Sequence, residues 1–249
     1  MTLPTTPPSE DGDNSGVGVV IVAAGLSRRM VTGDKVFEPL LGRPLIAHTV
    51  STFEESPLVD EIVLVLGAHN LDKGRTLAAQ EGWKKLKHVC PGGQRRQDSV
   101  KTGLQCLSPC QWIIVHDGAR PCITQELIKR GLESVLETGA AIPTIPVTDT
   151  VKKVDHYGTI LETLLRQDLR AVQTPQIFRY DVLQEAYQRN LDGATDDASL
   201  VERLGQQVKT FTGSEENIKI TTQVDLLLAE VILKRRGNAE ELSPESRGL

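Results

Sequence analysis

Val19-Val20-Ile21-Val22-Ala23-Ala24-Gly25-Leu26-Ser27-Arg28-Arg29-Met30 is the stretch on which the fold turns. Its first half is a continuous β-branched run, the pattern of a strand buried on both faces of a parallel sheet. The run empties into Ala23, Ala24 and Gly25, where small side chains let a ligand approach the backbone. Arg28, Arg29 and, shortly after, Lys35 follow. A buried strand that brings amides and cations to one point suits a polyphosphate. The plainer alternative is a solvated basic loop. Neither G-x-x-x-x-G-K-[ST] nor G-x-G-x-x-G is present here, which excludes a Walker loop and argues against a dinucleotide fold.

Outward from this stretch, strand and helix patterns alternate. Strands are predicted at Val17–Ala24, Glu61–Leu66, Lys87–Cys90, Trp112–His116 and Ala140–Pro146, and helices at Leu45–Glu54, Asn70–Glu81, Gln97–Leu107 and Gln125–Glu137. Such alternation implies right-handed crossovers and an α/β fold, a mostly parallel sheet between two helical layers. Ligands in these sheets bind beyond the carboxyl ends of the strands, which selects Ala23–Arg29 and His116–Arg120. After Pro146 the alternation breaks. Residues 148–173 read as an extended arm that returns at Thr174-Pro175-Gln176. Helices are predicted again at Arg179–Asn190, at Ala198–Leu204 behind the capping-type Thr195-Asp196-Asp197, and at Val224–Lys234. Short strands are predicted at Val208–Phe211 and Ile218–Thr221. One domain over residues 17–236, with disordered tails at 1–16 and 237–249, accounts for the chain.

With 249 residues the chain is long enough for a substantial core, and a net charge of −5 removes the broad basic face that duplex nucleic acid needs. Aromatic residues at 4% leave little for stacking single strands. The longest apolar run is far below the roughly 20 residues of a membrane span, and no basic-then-apolar leader is visible, so a cytoplasmic protein is expected. Cys90, Cys106, Cys110 and Cys122 lack metal-ligand spacing and read as reduced thiols.

Three further constellations bear on chemistry. In Val115-His116-Asp117-Gly118-Ala119-Arg120-Pro121 an acid ends an apolar strand, where it can hold Mg²⁺ beside phosphate oxygens, and Arg120 can meet a second anion. A helix-entry turn capped by Asp117 is the alternative, and His116 reads as structural. In Pro91-Gly92-Gly93-Gln94-Arg95-Arg96-Gln97-Asp98-Ser99 the glycines let the main chain approach a flat ring, with Arg96 and Ser99 in reach; a plain capping turn explains the segment equally well. Thr148-Asp149-Thr150, Arg166, Thr174 and Asn217-Ile218-Lys219 are individually uninformative.

Taken together, A-A-G-L-S-R-R-M, G-G-x-x-R-x-D-S-V, V-H-D-G-A-R-P, P-V-T-D-T-V-K, T-P-Q-I-F, T-D-D-A-S and N-I-K resemble, in order from Val17 to Arg235, the 2-C-methyl-D-erythritol 4-phosphate cytidylyltransferase family. The resemblance implies a nucleotidyltransferase fold of the glycosyltransferase-A-like kind with an extended β-arm. It implies transfer of CMP from CTP to a small phosphorylated polyol, with Mg²⁺, in non-mevalonate isoprenoid biosynthesis. It also implies a homodimer joined through the arm, whose residues complete the partner's site. Carried over by position, it puts the nucleotide at Ala23, Ala24, Gly25, Gly92, Gly93 and Ser99, and the catalytic cations at Arg29, Lys35 and Lys219. Asp117 (also the metal ligand), Arg120, Thr150, Arg166 and Thr174 fall around the acceptor phosphate. The chain departs from the family pattern at Asp34-Lys35-Val36-Phe37, at Gln94 and at Glu216, where a different residue is usual. A ribitol 5-phosphate cytidylyltransferase, or a nucleotide sensor without catalysis, are the alternatives.

Overall fold

A computed structural model describes residues 15–25, 35–189 and 193–241. In chain order the elements are β1 (Val17–Ala23), β2 (Pro39–Leu40), β3 (Arg43–Pro44), α1 (Leu45–Glu54), β4 (Glu61–Leu66), α2 (Leu71–Glu81), β5 (Leu86–Pro91), α3 (Arg96–Cys106), β6 (Trp112–Asp117), α4 (Gln125–Thr138) and β7 (Ala140–Pro146). Then follow β8 (Lys152–Val154), β9 (Ile160–Thr163), β10 (Arg170–Val172), β11 (Gln176–Arg179), α5 (Tyr180–Gln188), α6 (Asp197–Arg203), β12 (Lys209–Thr212) and α7 (Gln223–Glu241).

The main sheet has eight strands in the order β10-β7-β11-β6-β1-β4-β5, with β12 beside β7. Strands β5, β4, β1 and β6 run parallel to one another; β11 is antiparallel to both β6 and β7. The β-branched run of β1 explains why this strand is central. Val19 and Ile21 pack on one face with Ile46, Val50 and Phe53 of α1 and Leu127 and Ile128 of α4. Val20 packs on the other with Val100 and Leu104 of α3 and Val182 and Leu183 of α5. Alternate side chains of one strand therefore feed two cores, the signature of a strand covered on both faces. Helix α3 sits close because Gly103 faces the sheet: a Cβ there would lie 2.4 Å from Val20 Cγ1. A third, smaller core joins Leu226, Ala229 and Ile232 of α7 to Leu40, Leu45 and Cys122.

From β1 the chain steps to β4 and β5 on one side, then returns to β6 on the other. The carboxyl ends of β1 and β6 thus flank the switch point where such sheets bind ligands. Val22 and Asp117 are register partners there.

Two expectations need correction. Residues 218–221 form no strand; Ile220 N–H makes one backbone bond to the Ala119 carbonyl (2.8 Å), and no ladder continues from it. Helix α7 runs to Glu241, past the point where the sequence suggested a frayed tail. Glu216 pairs with Arg235 and Arg236 of α7. The arm is an extended excursion as expected: β8 and β9 pair as a separate hairpin, and β10 rejoins β7. All four cysteines are free thiols.

Candidate active site

A cleft of about 690 Å³ opens above the ends of β1, β4, β5 and β6. Its volume lies within the range of sites for small ligands. Ala23, Ala24 and Gly25 form its floor, with Gly92, Gly93 and Ser99 beside them. The smallness of these residues is a packing requirement. A Cβ on Gly92 would stand 2.2 Å from Ala24 Cβ and 2.7 Å from Ser99 Oγ. Ser99 Oγ accepts a bond from Gly93 N–H (3.1 Å), so α3 itself holds the glycine turn in place.

The other end of the cleft is charged. Asp117, the last residue of β6, is 7% exposed. Its Oδ2 meets Lys219 Nζ at 2.8 Å and Arg120 Nε at 3.8 Å, while its Oδ1 accepts from Arg96 Nε at 3.3 Å. Burial works against ionisation, but Arg96, Lys219 and Arg120 outweigh it and hold the carboxyl well below the usual carboxylate range. Lys35 also lines the cleft, and its Nζ donates to the Ile220 carbonyl (3.1 Å), next to Lys219.

Behind Asp117 a chain of hydrogen bonds fixes the turn. Thr174 Oγ1 accepts from Asp117 N–H at 3.0 Å and lies 3.1 Å from His116 Nδ1. His116 Nε2 lies 3.3 Å from the Arg120 carbonyl, which can only accept. The proton order follows: Nε2–H donates to Arg120, and Thr174 donates its hydroxyl to Nδ1. His116 is therefore neutral, and burial pushes it down to about 3 against the pull of Asp117. Arg120 Nη1 donates to the Asn217 carbonyl (2.6 Å), and Asn217 Nδ2 donates to the Thr174 carbonyl (2.8 Å). These bonds join the β6 turn, the strand β11 entry and the Lys219 segment into one unit.

Arg96 is anchored on its far side. Its Nη1 donates to Asp197 Oδ2 at 2.7 Å, and Asp197, fully buried, also accepts from Tyr187 Oη at 2.5 Å. Burial first, and then Asp197, push the Tyr187 phenol far above its ordinary value. The sequence supports this placement locally: Asp196 caps α6 by accepting from Ser199 N–H (3.1 Å), which leaves Asp197 pointing inward from the first turn.

Of the residues singled out in the sequence, Ala23, Ala24, Gly25, Lys35, Gly92, Gly93, Ser99, Asp117 and Lys219 line this one cleft. Arg29 lies outside the described residues. Arg120 and Thr174, expected against the acceptor, sit beneath Asp117, with their bonds directed into the scaffold just described. Thr150 and Arg166 are exposed on the arm and do not line the cleft; Arg166 Nη1 donates to the Thr148 carbonyl at 2.7 Å. Asp197 and Tyr187 were not foreseen, because nothing in T-D-D-A-S distinguishes a buried acid from a cap. The turn Gly67-Ala68-His69 was also missed, although it follows β4 and the carboxyl-end rule applies to it equally.

Among the described residues no group of three His, Cys, Asp or Glu side chains could hold a metal. The described residues therefore offer an ion no protein cage. One carboxylate beside several cations does suit Mg²⁺ carried by substrate phosphates, since that ion commonly takes one or two protein carboxylates and fills its remaining positions with phosphate and water.

A family model described as 2-C-methyl-D-erythritol 4-phosphate cytidylyltransferase matches residues 17–235. A protein of that name from Dehalococcoides mccartyi (strain CBDB1) is 50% identical over 222 residues, 89% of this chain and 98% of its own. Another from Alkaliphilus oremlandii (strain OhILAs) is 42% identical over 228 residues, 89% of this chain and 97% of its own. The crystal structure of 4-diphosphocytidyl-2C-methyl-D-erythritol synthase from Anaerococcus prevotii DSM 20548 matches with a TM-score of 0.78 at 28% identity, covering 90% of this chain and 100% of that one. That of 2-C-methyl-D-erythritol 4-phosphate cytidylyltransferase from Thermus thermophilus matches at 0.70 and 32% identity, covering 88% and 99%. Ordered motifs, sequence identity across nearly nine-tenths of the chain and a shared mixed α/β fold lead to one conclusion: the chain belongs to the 2-C-methyl-D-erythritol 4-phosphate cytidylyltransferase family, a family of nucleotidyltransferases.

Proposed function

We propose that this cleft transfers CMP from CTP to 2-C-methyl-D-erythritol 4-phosphate, a step of non-mevalonate isoprenoid precursor synthesis. An oxygen of the acceptor's phosphate monoester attacks the α-phosphorus. A new P–O bond forms, the bond from that phosphorus to the bridging oxygen breaks, and pyrophosphate leaves. The products are 4-diphosphocytidyl-2-C-methyl-D-erythritol and pyrophosphate. A phosphate monoester is largely ionised near neutrality, so no general base is required. His116, neutral and enclosed, is not needed as one. The obstacle is repulsion between two anions, and the chain answers it with fixed cations.

One observation carries the reading: Lys35 and Lys219 converge on the Asp117 end of a cleft whose opposite end is built of small residues. Asp117 orients Lys219 and Arg96, and Lys219 neutralises charge on the α-phosphate or the incoming phosphate. Lys35 and Arg29 serve the leaving pyrophosphate. Asp117 would also hold Mg²⁺ against the phosphate oxygens, where the ion would supply further neutralisation.

The arm supports a homodimer. Val154, Tyr157, Ile160, Leu161 and Leu165 are all more than half exposed on it, an apolar set that a second copy would cover. In that assembly Thr150 and Arg166 reach the partner's acceptor phosphate. Among the described residues no helix is long and apolar enough to cross a membrane, and the cytoplasm is the proposed compartment.

The test is pyrophosphate release by purified protein with CTP, Mg²⁺ and each acceptor separately. Release with 2-C-methyl-D-erythritol 4-phosphate and little with ribitol 5-phosphate is expected. Equal rates with both would overturn the acceptor assignment, and nucleotide binding without release would make the chain a sensor.

A further inference from the structure

We propose that the His69 imidazole is the surface on which the nucleotide's pyrimidine ring lies, so that the turn after β4 sets affinity for the base. This rests on the cytidine nucleotide proposed above and says where its base goes. Three turns line the cleft alongside Asp117: Ala23–Gly25 after β1, Gly67–His69 after β4 and Gly92–Gln94 after β5. They are locked together, since Gly92 N–H donates to the Leu66 carbonyl at 2.7 Å. The first and third turns offer small residues and main-chain groups, which can meet a base at its polar edge. A pyrimidine also has two apolar faces, and a face needs a flat partner.

Among the described lining residues only His69 supplies a ring. Its position is built. A Cβ on Gly67 would fall 2.8 Å from His69 Cε1 and 3.2 Å from Nδ1, with the Ala24 carbonyl oxygen 3.8 Å from the same point. The imidazole therefore lies across the Gly67 backbone beside the β1 turn, a pose that a larger residue at 67 would prevent. Asn70, 3% exposed, contacts the ring from behind, Nδ2 to His69 Nε2 at 3.2 Å. A buried amide that steadies an exposed ring is the arrangement of a preorganised contact surface.

The sheet gives the distance from the chemistry. Strand β4 lies on the far side of β1 from β6, so the His69 turn and Asp117 are two strand spacings apart, about 10 Å. A nucleotide laid across β1, with phosphates at Asp117 and Lys219, brings its base to His69. The residue acts in binding and not on the reacting atoms.

CTP binding to the full chain, measured by calorimetry, tests this without requiring turnover. His69→Ala should weaken CTP about tenfold, and His69→Phe, which keeps a flat face, should stay within about threefold of wild type. Where turnover is measured, KM for CTP should rise about tenfold in His69→Ala while kcat and the acceptor KM change less than twofold. Unchanged CTP binding in His69→Ala, or equal losses in the Ala and Phe variants, would overturn the proposal. Absence of pyrophosphate release by the wild type would count against the proposed reaction alone, and the calorimetry would still decide the role of His69.

Discussion

Asp117 and the tip of the arm are both reached from β strands of the same sheet, yet they are held in opposite ways. Asp117 is gripped by Arg96 from α3, Arg120 from its own turn and Lys219 from the segment before α7, and is 7% exposed. Strands β8 and β9 have no buried residue at all, and their hydrogen bonds are chiefly to each other. The first geometry is fixed by this chain's own folding, because three cations from separate segments share one buried carboxylate. The second is fixed only in part, and its apolar residues stay exposed. The proposed reaction divides along the same line: nucleotide and charge neutralisation within one chain, acceptor positioning from an arm that one chain leaves open.

The contrast is broken most forcefully behind the cleft. Asp197→Ala removes the fully buried partner of Arg96 and Tyr187, leaving a half-paired guanidinium at the base of the cleft. Loss of about 3–5 kcal/mol in urea denaturation is expected; a change under about 1 kcal/mol would mean that the site is not rigidified from this side. In the cleft itself, Lys219→Ala and Lys35→Ala should leave folding intact, since Lys219 is 42% exposed, and lower kcat by roughly 10²–10³. Near-wild-type turnover in either variant would remove that lysine from the mechanism.

The rigid half is also the half that could be read from sequence. A β-branched run such as Val19–Val22 reads as a doubly covered strand, and the carboxyl-end rule then marks Ala23–Arg29 and His116–Arg120 without tertiary information. Local signals also placed α1 and β4 within a residue of their ends. What escaped was set by contacts distant in sequence. Asp197 lies 101 positions from Arg96, and Arg120 turns inward because Asn217, 97 positions later, offers its carbonyl. The segment 218–221 alternates like a strand, yet it is held by side chains and one backbone bond. Thr150 and Arg166 stay exposed on the arm, and no local pattern in one chain encodes what they would meet.

A milder probe of the rigid half uses acid. The folded imidazole of His116 titrates at about 3 and the unfolded one near 6.5, so between these values the unfolded chain binds a proton that the native state refuses. Stability should therefore rise with pH through that window and be complete above about 6.5. One such group contributes a slope of at most about 1.4 kcal/mol per pH unit. His48, also lowered by burial, acts in the same direction, so the comparison must be with His116→Asn, which keeps an acceptor for Thr174. Denaturation at about pH 5 and about pH 6.5 should show a smaller difference in the variant than in the wild type. An identical difference would mean that His116 is not the proton-refusing group.

The smallest effect on folding belongs to the arm, and that smallness makes it informative. Leu161 is 60% exposed on β9, so Leu161→Glu removes almost no buried surface from its own chain. Unfolding of the isolated chain should change by no more than about 0.5 kcal/mol. If a second copy covers this face, the same substitution puts a charge into an apolar contact, and sedimentation should show monomer where the wild type is dimer. The catalytic consequence should be selective. The acceptor KM should rise about tenfold, the scale of one lost charged contact, with CTP affinity unchanged because the nucleotide end belongs to a single chain. A Leu161→Glu protein that stays dimeric with normal kinetics would show that the arm completes nothing, and that the open half of the comparison must be closed by some other part of the molecule.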